Sequence, residues 1–326
     1  MPSIHYFESA SFKHIHVKTR HYCIELINRG ATVKTLKTPN RDGVFENIIL
    51  TYDDVNDYKT NKKMLGTTVG PYAGRIAKPY PTYFQYQPKE DVLLHSDTDN
   101  LALQDFEICV QSNQVIFTLN GENVLKLFPK QFQFRVIYTF HEEGFDITFE
   151  THASEDGVAN LTNHMYFNLC GASNHSVHDH ELSIPASHAI ELNPNGLPKK
   201  RFNVKNTVFD FQASKPLRDA LNYLSKTDAG GLDHPFILDK NLIMCREPSS
   251  GREIRVETDY DALVVFTNNE ATEAILENGV KDTVHGALCL EPLHIPNDIH
   301  FLDYPKSFMK ANTVKRQTIA YRFSTL

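Results

Sequence analysis

Between residues 132 and 149 the chain alternates apolar and polar side chains with a period of two. Phe132, Phe134, Val136, Tyr138 and Phe140 share one face, and His141-Glu-Glu-Gly144 turns the chain. Phe145, Ile147 and Phe149 then resume, with Asp146, Thr148 and Glu150 between them. Successive side chains of a strand point to opposite faces, so this pattern specifies a hairpin with one dry and one wetter face. The same reading places a second hairpin at Ser112-Asn113, between residues 106–110 and 115–119. It places further strands at 23–26, 32–36, 47–52, 82–86, 253–258, 263–267, 287–290 and 318–323. Helical signals are sparse. Residues 214–224 predict one short helix, with Ser214 as N-cap and Pro216 in its first turn. Residues 124–128 predict another, stopped by Pro129. Strands spread evenly over 326 residues, with no internal repeat and no Pro/Gly/Ser linker, predict an all-β fold: a large antiparallel β-sandwich in a single domain spanning 1–326.

Composition narrows the function classes. Apolar residues make up 41% of the chain, enough for a core that needs no disulfide or metal staple. A formal charge of -7 without a basic block argues against nucleic acid as a partner. Five cysteines, an odd number with no CxxC spacing, predict reduced thiols in a cytoplasmic protein and give no zinc motif. His5, Glu8 and Lys13 interrupt the first residues, and no apolar run approaches the ~18 residues of a membrane span. A soluble monomer or homodimer without a membrane partner is the expectation.

Five polar islands interrupt the apolar pattern. Residues 160–169 read NLTNHMYFNL, which sets His164 among β-compatible apolar and aromatic residues; buried there, it needs a partner or a ligand. Residues 70–77 read GPYAGRIA, where glycines permit close backbone approach beside Arg75. His95 follows three apolar residues at a strand end. Asp233 stands in a glycine-led turn, GGLDHPF. Residues 287–296 read ALCLEPLHIP and send an apolar strand into Glu291, which is either paired with an arginine or poised for proton transfer. Each island alone has a structural explanation: a hydrogen-bonded core histidine, a solvated arginine, a capping histidine, an Asx-turn, an ion pair.

Taken together and in this order, the islands resemble the aldose 1-epimerase family, also called galactose mutarotases. Residues 160–169 are similar to its N-L-T-N-H-x-Y-F-N-L strand, and 70–77 to its G-R-V-A-[NG]-R-I-A segment, with Arg75 on the second arginine. His95 matches the histidine of N-x-L-H-G-G, Asp233 the aspartate of G-[YL]-D-H, and Glu291 the base of L-E-T-Q-x-x-P. The resemblance implies a β-supersandwich with few short helices and a cofactor-free, metal-free interconversion of the α and β anomers of glucose- or galactose-class aldohexoses. Ring opening needs a proton taken from the anomeric hydroxyl and another given to the ring oxygen. Glu291 is expected as base and His164 as acid, meeting from opposite sides of one sugar-sized hollow. Arg75 and His95 would orient the sugar and polarise its oxygens, and Asp233 would accept hydrogen bonds from its hydroxyls.

Several positions depart from the family pattern. Pro71 replaces the first arginine, Ser96-Asp97 replace two glycines, Pro292-Leu293 replace Thr-Gln, and Asn297 stands where aspartate is common. Val264 occupies the place of a substrate-binding glutamine. Rival readings are a non-catalytic sugar-binding protein, a glycoside hydrolase using Asp233 and Glu291, and a hexose-phosphate epimerase with Lys78 as a second cation. The cluster His175, His178 and His180 reads as a solvated loop, with a metal site the alternative because His178 and His180 would share a strand face, and 199–201 (KKR) reads as a solvated turn.

Overall fold

A computed structural model describes residues 2–85, 87–120, 125, 128, 131–171, 176–301 and 305–326. The predicted hairpin is strands Phe132–His141 and Gly144–Ala153, in register Phe140↔Phe145, Tyr138↔Ile147 and Val136↔Phe149. It lies in a nine-stranded sheet. From one edge the order is Lys215–Pro216, Glu181–Ser183, Leu242–Arg246, Arg252–Thr258, Val314–Thr325, Gly144–Ala153, Phe132–His141, Gln114–Asn120 and Glu107–Gln111. The last strand in sequence, Val314–Thr325, thus joins the two halves, setting Tyr321 beside Phe145 and Ile319 beside Ile147.

The sheet's dry face, with Phe134, Tyr138, Ile147 and Tyr321, shares one core with Phe167, Phe236, Val265, Leu288 and Leu290 of a second, six-stranded sheet. Each such side chain is worth roughly 1.5–3 kcal/mol on burial. A five-stranded sheet, Ser3–Glu8 to Phe45–Asn47, completes the antiparallel architecture. The described residues hold one α-helix, Arg218–Leu224, which buries Ala220, Leu221 and Leu224. Among them no helix is long and apolar enough to cross a membrane.

Three expected elements differ, each for a local reason. The strand at 47–52 stops at Asn47, whose side-chain oxygen takes the N–H groups of Leu36 and Ile49; only isolated bridges at Ile49 and Tyr52 continue it. Residues 82–85 form a turn, with the Phe84 N–H closing on the Pro81 carbonyl; Tyr86 lies outside the described residues. The helix begins two residues beyond Pro216, and Ser214 does not cap it. Lys215–Pro216 is instead the outermost strand, where a missing N–H costs no ladder bond. Most of the helix expected at 124–128 falls outside the described residues.

The part of the fold that matters for function is the six-stranded sheet. Its strand Leu288–Leu293 lies between Tyr166–Phe167 and Ala262–Phe266 and is buried at all six positions. Asn160 fixes this strand to the glycine-bearing segment. Its amide donates to the carbonyls of His294 (3.0 Å) and Ala73 (3.4 Å), and its oxygen accepts the His294 N–H at 2.8 Å. Beyond Glu291, Asn297 accepts the Ala77 N–H at 2.9 Å, and Asp298 accepts from Tyr72 Oη at 2.9 Å. Asn297 has φ 62°, a left-handed conformation that asparagine tolerates. Removing the amide in Asn160→Ala strands three buried backbone groups, so stability should fall by about 2–4 kcal/mol in urea denaturation. A loss below about 1 kcal/mol would mean that the amide does not hold the two segments together.

Candidate active site

His164 sits in the gap between two short strands, Thr162–Asn163 and Tyr166–Phe167, where the expected continuous strand breaks. Its backbone is held on both sides: its N–H donates to the Thr67 carbonyl at 2.9 Å and its carbonyl accepts the Gly66 N–H at 3.0 Å. The ring packs against Tyr166 at 4.9 Å between centroids, with Phe266 at 6.5 Å. Nδ1 meets Cys289 Sγ at 3.5 Å and Nε2 lies 3.4 Å from Glu291 Oε1.

Cys289 and Glu291 are two residues apart on one strand and therefore share a face. Directly across the ladder from Glu291 is Val264, which has no polar group to hold the carboxylate.

Arg75 opens the strand Arg75–Ala77, and its Nη1 lies 3.4 Å from Asp233 Oδ2. Asp233 begins the strand Asp233–Ile237 instead of sitting in the expected turn; the turn is upstream, at Gly230 with φ 65°. Gly196 passes so close to Arg75 that an added Cβ would sit 2.4 Å from its Nε.

His95 follows the strand Val92–Leu94. Its N–H donates to the Gly74 carbonyl at 2.9 Å and its Nδ1 accepts the Gly74 N–H at 3.1 Å, leaving Nε2 to carry the proton. Its ring meets His164 edge-on at 5.6 Å. His95, Ser96 and Asp97 all have positive φ, so the loop keeps a backbone that glycine favours without having glycine there. Ser96 Oγ braces it by accepting the Tyr72 N–H at 2.9 Å.

The five residues singled out in the sequence thus stand in two contacting groups. His164 and Glu291 touch each other directly and do not face one another across a hollow. Their side chains are 7% and 4% exposed, whereas Arg75 and Asp233 are 27% and 33% exposed, so the arginine–aspartate pair marks the wetter end. Burial sets the proton affinities. It pushes the Glu291 carboxyl well above the ordinary carboxylate range, helped by Asp233 and opposed by Arg75. It pulls His164 down to about 4 and His95 well below its usual value, and it raises Asp233 against the pull of Arg75.

Other neighbours were not legible in the sequence. Lys63, next to Lys62 in what reads as a surface run, is buried. Its Nζ donates to Asp282 Oδ2 at 2.7 Å and Asn268 Oδ1 at 2.8 Å, and it lies 5.4 Å from the Tyr166 ring centroid. Its charge adds to the depression of His164. Of the loop histidines, His180 turns its Nε2 to the Leu169 N–H at 2.8 Å, the His178 ring meets His285 edge-on at 5.4 Å, and His175 lies outside the described residues.

These shifts fix a pH dependence of stability. His164, His180 and His234 are all drawn down to about 4 by burial, and His95 is also depressed. A depressed histidine binds its proton more weakly when folded, so its stabilisation is present above about 6.5 and lost as pH falls toward 4. The raised Glu291 and Asp233 act the other way, their contribution being lost as pH rises through their folded values. Four histidines outweigh two carboxylates. Unfolding stability should therefore fall by about 1–3 kcal/mol per unit between about pH 6.5 and about pH 4.5, read from urea midpoints; a flat profile would contradict these burial assignments.

With this geometry in view, the chain can be set beside known proteins. Residues 13–322 match the family described as Aldose 1-epimerase. Galactose mutarotase of Mus musculus is 26% identical over 313 residues, covering 92% of this chain and 91% of that protein. Aldose 1-epimerase of Haemophilus influenzae is 27% identical over 292 residues, covering 84% of each. Among solved structures, an aldose epimerase homologue from C. elegans superposes with a TM-score of 0.82 at 20% identity over the whole of both chains. A galactose 1-epimerase from Lactobacillus acidophilus does so with 0.78 at 23%, covering 100% of this chain and 99% of that one; likenesses at these identities establish the fold. With the family matched over nearly its whole length, this chain belongs to the aldose 1-epimerases, isomerases that interconvert sugar anomers.

Proposed function

We propose that the chain acts on free aldohexoses of the glucose and galactose class, with Glu291 as base, His164 as acid, and the whole chain as one catalytic domain. The contact of 3.4 Å between His164 Nε2 and Glu291 Oε1, in surroundings largely closed to water, carries this reading. Such a pair holds one proton between two sites. With the proton on Glu291 both groups are neutral, which burial favours in the empty site. With the proton on His164 the pair is a carboxylate and an imidazolium, and the hydroxyls of a bound sugar supply the polar partners that this form needs.

The chemistry follows from the ionic form. Glu291 takes the proton of the anomeric hydroxyl, the bond between C1 and the ring oxygen breaks, and that oxygen takes the proton from His164. Both reacting oxygens are attached to the same carbon, so an acid and a base that touch each other can serve both. After opening, the pair again holds one proton, now on Glu291. Rotation of the aldehyde and the reverse transfers close the ring on the other face. Arg75 and His95, the latter through its Nε2–H, polarise sugar oxygens, and Asp233 accepts hydrogen bonds from ring hydroxyls. Tyr166 and Phe266 flank His164 and offer apolar surface to the C–H face of a sugar.

The phosphate-sugar reading lacks support from Lys78, whose Nζ already donates to the Lys89 carbonyl at 2.6 Å and to Asp91 at 3.2 Å. A hydrolase built on Asp233 and Glu291 leaves His164 without a task.

Polarimetry on freshly dissolved α-D-glucose and α-D-galactose tests the proposal. The parent should speed anomeric equilibration, and Glu291→Gln and His164→Asn should each lose ~10²–10⁴-fold in kcat. Binding without acceleration by the parent would mean a sugar-binding protein, and full activity in Glu291→Gln would remove the base from the scheme. Arg75→Ala should cost about 10–100-fold in kcat/KM, mainly through KM.

The pH profile supplies a second test. Because the reactive state carries one proton on the pair, kcat/KM should be bell-shaped, with limbs that belong to the pair as a unit. The acid limb should lie nearer 4 than 6.5, following the depressed His164, on protein verified as folded at each pH. A limb at the ordinary histidine value would place the titrating group outside this dry site.

A further inference from the structure

Cys289 has no part in the chemistry above, yet its thiol is fully buried against the imidazole of His164 and on the same strand face as Glu291. One ligand atom from each of these three residues lies within 4.8 Å of the other two, and no other such trio occurs among the described residues. We infer that Cys289, His164 and Glu291 form a binding site for a thiophilic divalent cation of the zinc class, and that such an ion is an inhibitor.

Three considerations carry the inference. The first is spacing. Bonds of about 2.0–2.3 Å in a tetrahedral zinc centre set its ligand atoms roughly 3.3–3.7 Å apart. The thiol and carboxylate already approach the ring nitrogens at 3.5 and 3.4 Å. They do so at opposite nitrogens, and an ion uses one, so only one of these contacts is already an edge of the site; the other two, within 4.8 Å, close by rotation of the ring and of the Glu291 side chain.

The second is ligand type. A thiolate with an imidazole and a carboxylate suits zinc, cobalt or cadmium and does not suit magnesium or calcium, which take oxygen ligands. The other thiols are placed differently: Cys109 is exposed, Cys23 and Cys170 are partly covered, and Cys245 is buried in the nine-stranded sheet.

The third is charge. When the ion enters, the Cys289 thiol proton and the proton held by the His164–Glu291 pair leave to water. A divalent cation with one thiolate, one carboxylate and a neutral imidazole is then neutral overall, the favourable state for a dry site. The fourth position would be open to water or to an incoming hydroxyl. The consequence for turnover rests on the proposed roles of Glu291 and His164, whose reacting atoms the ion would occupy; the binding itself does not.

Cobalt(II) titrated into chelator-treated full-length protein reads the site directly. One equivalent should bind with a thiolate-to-cobalt charge-transfer band and tetrahedral d–d absorption, and zinc should displace it. The band should be absent in Cys289→Ser. Should that variant fold poorly, zinc protection of Cys289 from alkylation in the parent, located by mass spectrometry, gives the same information. Absence of the band, its persistence in Cys289→Ser, or alkylation of Cys289 unaffected by zinc would overturn the site. Zinc should also slow polarimetric turnover of the parent reversibly. If cobalt binds with the expected spectrum while turnover is untouched, the metal site stands and the catalytic assignment of Glu291 and His164 falls.

Discussion

The carboxamide of Asn160 is the interaction on which the site depends. It binds both backbone groups of His294 and the carbonyl of Ala73, and so couples three segments distant in sequence. One carries Glu291, one runs on to Arg75, and one continues four residues later to His164. Without that coupling, each segment would still have its own ladder bonds. Their side chains would have no fixed relation to one another, and a contact of 3.4 Å between the His164 imidazole and the Glu291 carboxyl cannot be left to loops. Asn297 and Asp298 repeat the device on the far side, binding the Ala77 N–H and Tyr72 Oη. A carboxylate that would be costly alone in a fully buried strand is tolerated because the same clamps bring it an imidazole.

Electrostatics and burial follow from this placement. The strand bearing Glu291 lies within the six-stranded sheet, so desolvation raises that carboxyl and depresses the facing histidines, and both changes favour a neutral pair sharing one proton. The charged residues Arg75 and Asp233 stay at the wetter end, where they partly neutralise each other. Lys63 adds a fixed positive charge behind Tyr166, itself compensated by Asp282. The arrangement keeps compensated charge around the periphery and the His164–Glu291 pair at the centre, which suits the acid–base chemistry proposed for it.

Much of this was legible in the chain itself, for identifiable reasons. Period-two alternation is a property of single strands, so the hairpin at 132–149 and the strands near 23, 253, 263 and 318 appear where expected. Glu291 stood out as a carboxylate ending an apolar run, and His164 as a titratable ring in a segment of β-compatible apolar and aromatic residues, although that segment breaks at His164 instead of forming one strand. What failed were features set by side chains acting on backbone. Asn47 ends a strand by taking its N–H groups, and Pro216 joins a sheet edge instead of starting a helix. Lys63 and Cys289 were invisible for a different reason. A lysine beside another lysine reads as surface, and a cysteine in an apolar strand reads as core. Only the tertiary contact with Asp282, or with His164, gives either a particular environment.

In the proposed mechanism one sugar carbon is served by a touching acid and base in a mostly dry site. A crystal structure of the protein soaked with galactose measures this directly. The mechanism requires the anomeric oxygen within hydrogen-bond distance of the Glu291 carboxylate and the ring oxygen within reach of His164 Nε2, with Arg75 and Asp233 on the outer hydroxyls. A sugar bound with its anomeric carbon turned toward Arg75, or seated elsewhere with the His164–Glu291 contact undisturbed, would contradict it.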